Sequence, residues 1–257
     1  VVTSCFFAAI SGSGPATVAA LGGVFSENSG IVNIGIEGMM TIGAFAGAAA
    51  GYMLGNPWLA FIIGGLAGGL FALVHALATV TFNADHTISG VAINLLAPGV
   101  ALFASKIMFD GATMTPTIPM EQKIPRPLNG LFPSGSILDT IFNAYATVFI
   151  AFILVAVTWY VLYKTKFGLR IRAVGEHPGA ADTLGISVAK TRYAAVIISG
   201  ILAGLGGASM SLAVVSSFRP TLISGHGYIA MAAVIFGKWR PQWAMAACLL
   251  FGFSTAL

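Results

Sequence analysis

Charge is what this chain of 257 residues has least of: Asp, Glu, Lys and Arg together make up 8%. A water-soluble domain carries about 25%, so so thin a supply excludes an ordinary soluble surface. Cysteine is nearly absent as well. Cys5 and Cys248 each sit in an apolar run, where packing explains them better than a disulfide or a metal site. Signatures of chemistry are missing too. The Gly237-Lys238 pair is followed by Trp239 and lacks the upstream glycine spacing of a phosphate-binding loop. No His-Glu-x-x-His, paired-cysteine or Gly-x-Ser-x-Gly element occurs. The chain is therefore expected to be non-catalytic and to bind no cofactor.

What is abundant is apolar sequence, 57% of residues with a mean hydropathy of +0.92. The long, unbroken runs predict an all-α polytopic membrane protein and exclude a transmembrane barrel, whose segments alternate. Spans of ~20 residues are expected near 3–25, 31–54, 57–82, 87–109, 138–163, 189–215 and 241–257, with a shorter segment near 225–237. That makes seven or eight helices in a single transmembrane domain covering 1–257. The 32 glycines fit close helix packing in lipid. Val1 is not a methionine, and the chain closes in the apolar run LLFGFSTAL, so both ends are expected to be truncated.

Six of the twelve lysines and arginines fall in 163–192. A basic loop between spans marks the cytoplasmic side, so the net charge of +4 reports topology and not a nucleic-acid partner. Counting back places 110–137, with its five prolines, outside as an irregular loop. Asn56-Pro57 is then an external turn. Asn83-Ala84-Asp85-His86 is an internal one suited to cap the next helix. Trp58, Trp239 and Trp243 lie near expected span ends, as interfacial aromatics do.

Two short apolar segments interrupt the pattern. Ser11-Gly12-Ser13-Gly14-Pro15 leads into 16–25, followed by polar 26–30; Pro220 and Gly225 lead into 225–236, followed by 237–241. Paired half-helices near the two ends point to an internal repeat flanking a transport pathway. Two ordinary turns between spans fit the same residues.

Within the spans, Glu37 is the outstanding charge, and a carboxylate at mid-membrane belongs in the bundle interior or a cavity. Asn33 lies one turn before it, and Ser26 and Asn28 stand at the preceding break. Asn94 is a second polar side chain inside a span, with Ser89 about one turn earlier. These five, Ser26, Asn28, Asn33, Glu37 and Asn94, are the candidates for a substrate pathway. A hydrogen-bond network between helices accounts for them equally. His75, alone on an apolar helix, reads as a satisfied packing histidine.

Three blocks carry a family resemblance. SENSGIVNIGIEGMMTIGAFAGA at 26–48, AVGEHPGAADTLGISVAKTR at 173–192 and AAVIFGKWRP at 232–241 resemble permease subunits of ATP-binding-cassette importers for nucleosides and simple sugars. That group is related to the ribose-type and branched-chain amino-acid permeases. The NIGIEGMM wording points to the nucleoside branch, since ribose-type relatives carry a Gly-Ile-Asp-like element there.

The resemblance implies a multi-pass protein of the bacterial plasma membrane, working by alternating access. Its partners would be cytoplasmic ATPase subunits holding ATP and magnesium, a second related permease in a heterodimer, and an extracytoplasmic substrate-binding lipoprotein. It also implies a coupling helix over 178–184 that docks on the ATPase. The residues concerned are Glu176, Pro178, Gly179, Ala180, Ala181, Asp182, Leu184 and Gly185. Pro178 suits a first helical turn and Gly185 a helix end. Gly179 stands where the general importer pattern has a glutamate, which removes any salt bridge from that position. The competing class is a self-sufficient secondary transporter or channel with Glu37 as the coupling group; a third is a structural subunit without a path of its own.

Overall fold

The structure, a computed structural model, describes residues 2–120, 123–127 and 144–256, with side chains for 10–120, 123–127 and 144–255. All regular elements among them are helical. In chain order they are α1 (Val2–Asn28), α2 (Ile36–Leu54), α3 (Pro57–Ala76), α4 (His86–Met108), α5 (Ala146–Lys164), α6 (Lys166–Glu176), α7 (Pro178–Thr183), α8 (Val188–Ser209), α9 (His226–Phe236) and α10 (Pro241–Ala256). Wider π-helical turns extend α3 through Leu77–Thr81 and α8 through Met210–Val214.

Among the described residues, four helices are long and apolar enough to cross a membrane: Pro57–Thr81, His86–Met108, Ala146–Lys164 and Val188–Val214. α1, α2 and α10 pack beside them, and α9 is a shorter apolar helix. This is the architecture of a polytopic membrane protein. The expectation that the basic 164–192 segment marks the inner side gives α8 an outward and α3 an inward direction. Asn56 and Asp85 start the helices after the two predicted turns by accepting the N–H groups of Trp58 and Leu59, and of Thr87 and Ile88. The Ile88 amide, followed by that of Thr87, holds the Asp85 carboxyl below its ordinary range.

The core is built on closeness of backbones. α8 carries the small residues Ser199, Gly200, Ala203, Gly204, Gly206, Gly207 and Ala208 buried along its length, and packs on α1, α2 and α3. A Cβ on Gly64 would lie 2.7 Å from the Gly43 carbonyl oxygen, and one on Gly68 2.7 Å from the Gly204 Cα. Such contacts admit glycine alone, and they replace the hydrophobic driving force that lipid removes between helices.

Two expectations need correction. The segment 16–25 is no separate half-helix, because α1 runs unbroken through Pro15. Ser13 Oγ donates to the Ile10 carbonyl at 3.1 Å and Thr17 Oγ1 to the Ser13 carbonyl at 2.8 Å. Membrane helices tolerate such an internal proline. The second span also begins late: 29–35 is non-helical and α2 opens only at Ile36. At the other end of the chain, the short helix after Gly225 is present as α9.

The inner loop is more ordered than a loop with one short helix. α6 buries Gly168, Ile171 and Val174 and exposes Leu169 and Arg170, an amphipathic pattern that seats it under the bundle. On the outer side, 121–122 and 128–143 lie outside the described residues, including the first part of the expected 138–163 span. The described part of 110–127 packs back on the bundle. Ile118 N donates to Ser216 O at 2.8 Å, Phe218 N to Thr115 Oγ1 at 2.8 Å, and Ile118 and Ile124 are buried.

Candidate functional site

The break after α1 is tied by its own short side chains. Ser29 Oγ donates to Ser26 O at 2.6 Å, Ser26 Oγ to Ile31 O at 2.7 Å, and Gly30 adopts a φ of +85°. Beyond this knot the chain runs through 31–33 without regular structure and turns at 34–35 before α2, instead of restarting a helix at once.

A non-helical backbone between membrane-spanning helices must find partners for its peptide groups within the protein. His75 Nε2 lies 3.4 Å from the Val32 carbonyl as a donor, which leaves Nδ1 to accept from Ser89 Oγ at 2.9 Å. Val32 N donates to His86 Nδ1 at 3.4 Å. Asn94 does most. Its amide donates to Ile34 O at 2.9 Å and to Tyr228 Oη at 3.0 Å, while its oxygen accepts the Gly38 N–H at 2.8 Å. Asn33, fully buried, donates to Ser199 Oγ at 2.9 Å.

Glu37 follows in the first turn of α2. Its Oε1 accepts the N–H of Gly225 and its Oε2 that of Gly227, both at 2.7 Å. These amides stand at the start of α9, where helical N–H groups lack intrahelical acceptors and the dipole is positive. A carboxylate at mid-membrane costs ~2.5–3.5 kcal/mol on insertion scales, and two charge-assisted bonds offset much of that. Glycine is required on the other side: Gly225 has a φ of +94°, and a Cβ on Gly227 would lie 2.6 Å from the Glu37 Cα. Glu37 thus fixes the depth at which α9 begins.

The end of the bundle that bears the basic segment carries α6 and α7. His177 Nδ1 accepts the Ala180 N–H at 3.0 Å and Pro178 follows as the first helical residue, so α7 starts sharply. It stops at Gly185, whose φ is +77° and whose N–H returns to Asp182 O at 2.9 Å. Gly175, near the end of α6, abuts the Asn28 backbone, with Gly30 N 3.3 Å from where its Cβ would stand. Arg192 Nε adds a bond to Ser29 O at 3.3 Å. The inner helices therefore touch the foot of the non-helical segment directly.

Residues 6–257 match the family described as branched-chain amino acid transport system / permease component. The chain belongs to that family. Among curated relatives it is 47% identical over 252 residues to the guanosine ABC transporter permease protein NupQ of Bacillus subtilis, covering 95% of this chain and 78% of the relative. It is 43% identical over 254 residues to the nucleoside ABC transporter permease protein NupC of Lactococcus lactis, with the same coverages. The putative glucose ABC transporter permease protein TsgC13 of Haloferax volcanii is 38% identical over 242 residues, covering 93% and 72%. No solved structure matches.

In this permease, Asn33, Glu37 and Asn94 gather on one feature, the non-helical segment and the helix start it holds. Ser26 and Asn28 do not join them; they close the turn at the inner end, where Asn28 Nδ2 donates to Val24 O and Trp239 O. Around α7, Glu176, Gly179, Ala180, Asp182, Leu184 and Gly185 are exposed and Pro178 is half-buried, whereas Ala181 is buried. The Ala181 side chain is thereby turned away from solvent.

Tyr228, Ser199, Gly225 and Gly227 complete the inner constellation, and the sequence alone did not single out their roles. The glycines flanking His226 were the available signal. Tyr228 is 46% exposed, Ser224 is exposed, and Glu37 and Asn94 are half-buried beside them. An open polar patch among membrane-spanning helices suits a water-filled cavity or another protein far better than lipid.

Proposed function

We propose that this permease is the membrane subunit of an ATP-driven importer of the bacterial plasma membrane that carries nucleosides, with simple sugars as the second class. The names of the relatives at 47% and 43% identity support the nucleoside reading over the sugar relative at 38%. ATP and magnesium act on separate ATPase subunits. A second, related permease forms the other wall of the path, and an extracytoplasmic lipoprotein delivers the solute.

The observation that carries the mechanism is the contact of Gly175 with Asn28. ATPase closure moves α7, α6 moves with it, and the foot of the non-helical segment at 28–30 shifts. That segment ends on Asn94 and Glu37, so the shift reaches the start of α9 inside the bundle and changes which side the cavity faces. Glu37, Asn94 and Tyr228 form its wall. The amide and phenol offer donors and acceptors for ribose hydroxyls, and the ring offers a face for a base. Ion coupling through Glu37 is disfavoured, because both its oxygens are taken by backbone N–H groups.

The test uses the full importer in liposomes. Ala180→Glu with Leu184→Glu replaces two exposed α7 side chains; loss of ATPase co-purification and of ATP-dependent guanosine uptake is expected. Uptake driven by an ion gradient without ATPase subunits would sink the proposal.

A further inference from the structure

The 237–241 turn between α9 and α10 is strained without any need for it in the transport path. Lys238 and Trp239 both hold left-handed backbones, with φ of 50° and 57°. Consecutive non-glycine residues in that region are uncommon, and such strain collects at ligand clamps. The turn is held open by many bonds: Lys238 N to Ile235 O at 3.0 Å, Trp239 N to Val234 O at 3.0 Å, and the Trp239 indole to Glu27. Its result is to leave Lys238 and Arg240 exposed at the inner end of the bundle.

Two cavities meet at Arg240 and Trp243. One, of about 530 Å³, is lined by Trp159, Tyr163, Arg240, Gln242 and Trp243. Gln242 and Trp243 also open α10, where backbone N–H groups have no intrahelical acceptor. The other, of about 700 Å³, starts from Lys238, Arg240 and Trp243 and continues along Ala246, Ala247 and Leu250 against Phe236. From Arg240 to Leu250 the helix rises about 15 Å, the depth of one leaflet. A polar, cationic mouth thus leads into an apolar trough of acyl-chain length.

Charge at the mouth is positive on balance. Lys164 lies over the Trp159 ring at 5.7 Å, and Arg172 over Tyr163 at 4.8 Å with its Nε buried and unpartnered. Glu27 and Glu176 border an adjoining space beside Arg172, Lys238 and Arg240, but Glu27 is engaged by Trp239. Basic pockets between helices on the cytoplasmic side, with interfacial tryptophans, suit anionic headgroups.

We propose that this groove is a binding site for one anionic phospholipid of the inner leaflet. Its phosphate sits between Arg240, Lys238 and the α10 N-terminus, and one chain lies along Ala246 and Leu250. Free phosphate would use only the mouth and leave the apolar trough unfilled.

The experiment places the full-length permease, in its assembled importer, in bilayers containing tail-brominated lipid. Quenching of Trp159 and Trp243 is read as the difference from a W159F/W243F variant. Brominated phosphatidylglycerol is expected to quench at a lower mole fraction than brominated phosphatidylcholine, by roughly fivefold per basic side chain engaged. K238Q/R240Q should erase the preference and R240K should keep it. Equal quenching by the two lipids overturns the proposal, as does a preference surviving in K238Q/R240Q. So does its loss in R240K, which would assign the effect to the shape of the turn. Abolition of the preference by inorganic phosphate would identify a soluble-anion site and overturn the lipid assignment.

Discussion

Glu37 and Gly227 are fitted to each other inside the helix bundle: the carboxylate accepts the Gly227 N–H at 2.7 Å, and a Cβ on that glycine would lie 2.6 Å from the Glu37 Cα. The pair ties the second helix to the start of α9 across 190 residues of sequence. Neither residue can change alone without reaching the other.

Replacement of Glu37 by alanine strands two N–H groups. Each unsatisfied buried donor costs about 1–3 kcal/mol, so Glu37→Ala should destabilise the permease by roughly 2–6 kcal/mol. Glu37→Gln keeps one acceptor oxygen and should fall between the two. Thermal unfolding in detergent, monitored by circular dichroism, reads the order. An alanine variant as stable as the parent would disprove the capping role.

Gly227→Ala tests the same joint from the other side. The added carbon meets backbone at Glu37, not a flexible side-chain tip, so α9 must move outward. Hydrogen exchange at 226–230 should accelerate, while exchange in α3 stays as it was. Ala232→Gly, on a half-buried face of the same helix, serves as the control and should leave 226–230 protected.

Asn94 serves two backbone groups, Ile34 O and Gly38 N, that a continuous helix would have paired with each other. Asn94→Leu removes both partners together, and should cost about 2–6 kcal/mol through the two stranded groups. Asn94→Asp keeps the acceptor for Gly38 and loses the donors to Ile34 O and Tyr228 Oη. Protection of the Gly38 amide should therefore survive in the aspartate variant and vanish in the leucine variant, which peptide-resolved hydrogen exchange distinguishes.

Much of this was legible in the sequence, for identifiable reasons. The inner loop announced itself because lysine and arginine are scarce elsewhere. The 83–86 turn was readable as a cap for the next helix, since short polar side chains before apolar runs have few other uses, and Asn56-Pro57 as a turn. Pro15 misled, because its local rule says that a helix starts there, whereas α1 runs through it. The stretch 31–35 reads as apolar span, and nothing local says that it is non-helical. That follows only from partners on α3, α4 and α8, which sit 43 to 166 residues away. His75 was legible as satisfied, but not as the residue holding Val32.

The route from the inner face to Glu37 makes its own prediction at Gly175. Packed on the Asn28 backbone, this glycine transmits a push without a side chain to absorb it. Gly175→Ala inserts a carbon 3.3 Å from Gly30 N and into the Asn28 carbonyl, so α6 must lift off the foot of the non-helical segment. α7 is untouched, with its His177 cap and its Gly185 stop intact. ATPase subunits should then still co-purify with the variant, and basal ATP hydrolysis should persist. Stimulation of that hydrolysis by solute and binding protein should fall by tenfold or more, as a loss of about 1.4 kcal/mol of coupling requires. Normal stimulation in a folded Gly175→Ala importer would place the coupling elsewhere, on α7 and α8 through Arg192. A variant that loses its ATPase subunits would show instead that α6 holds α7 in place, and the push would have to be sought there.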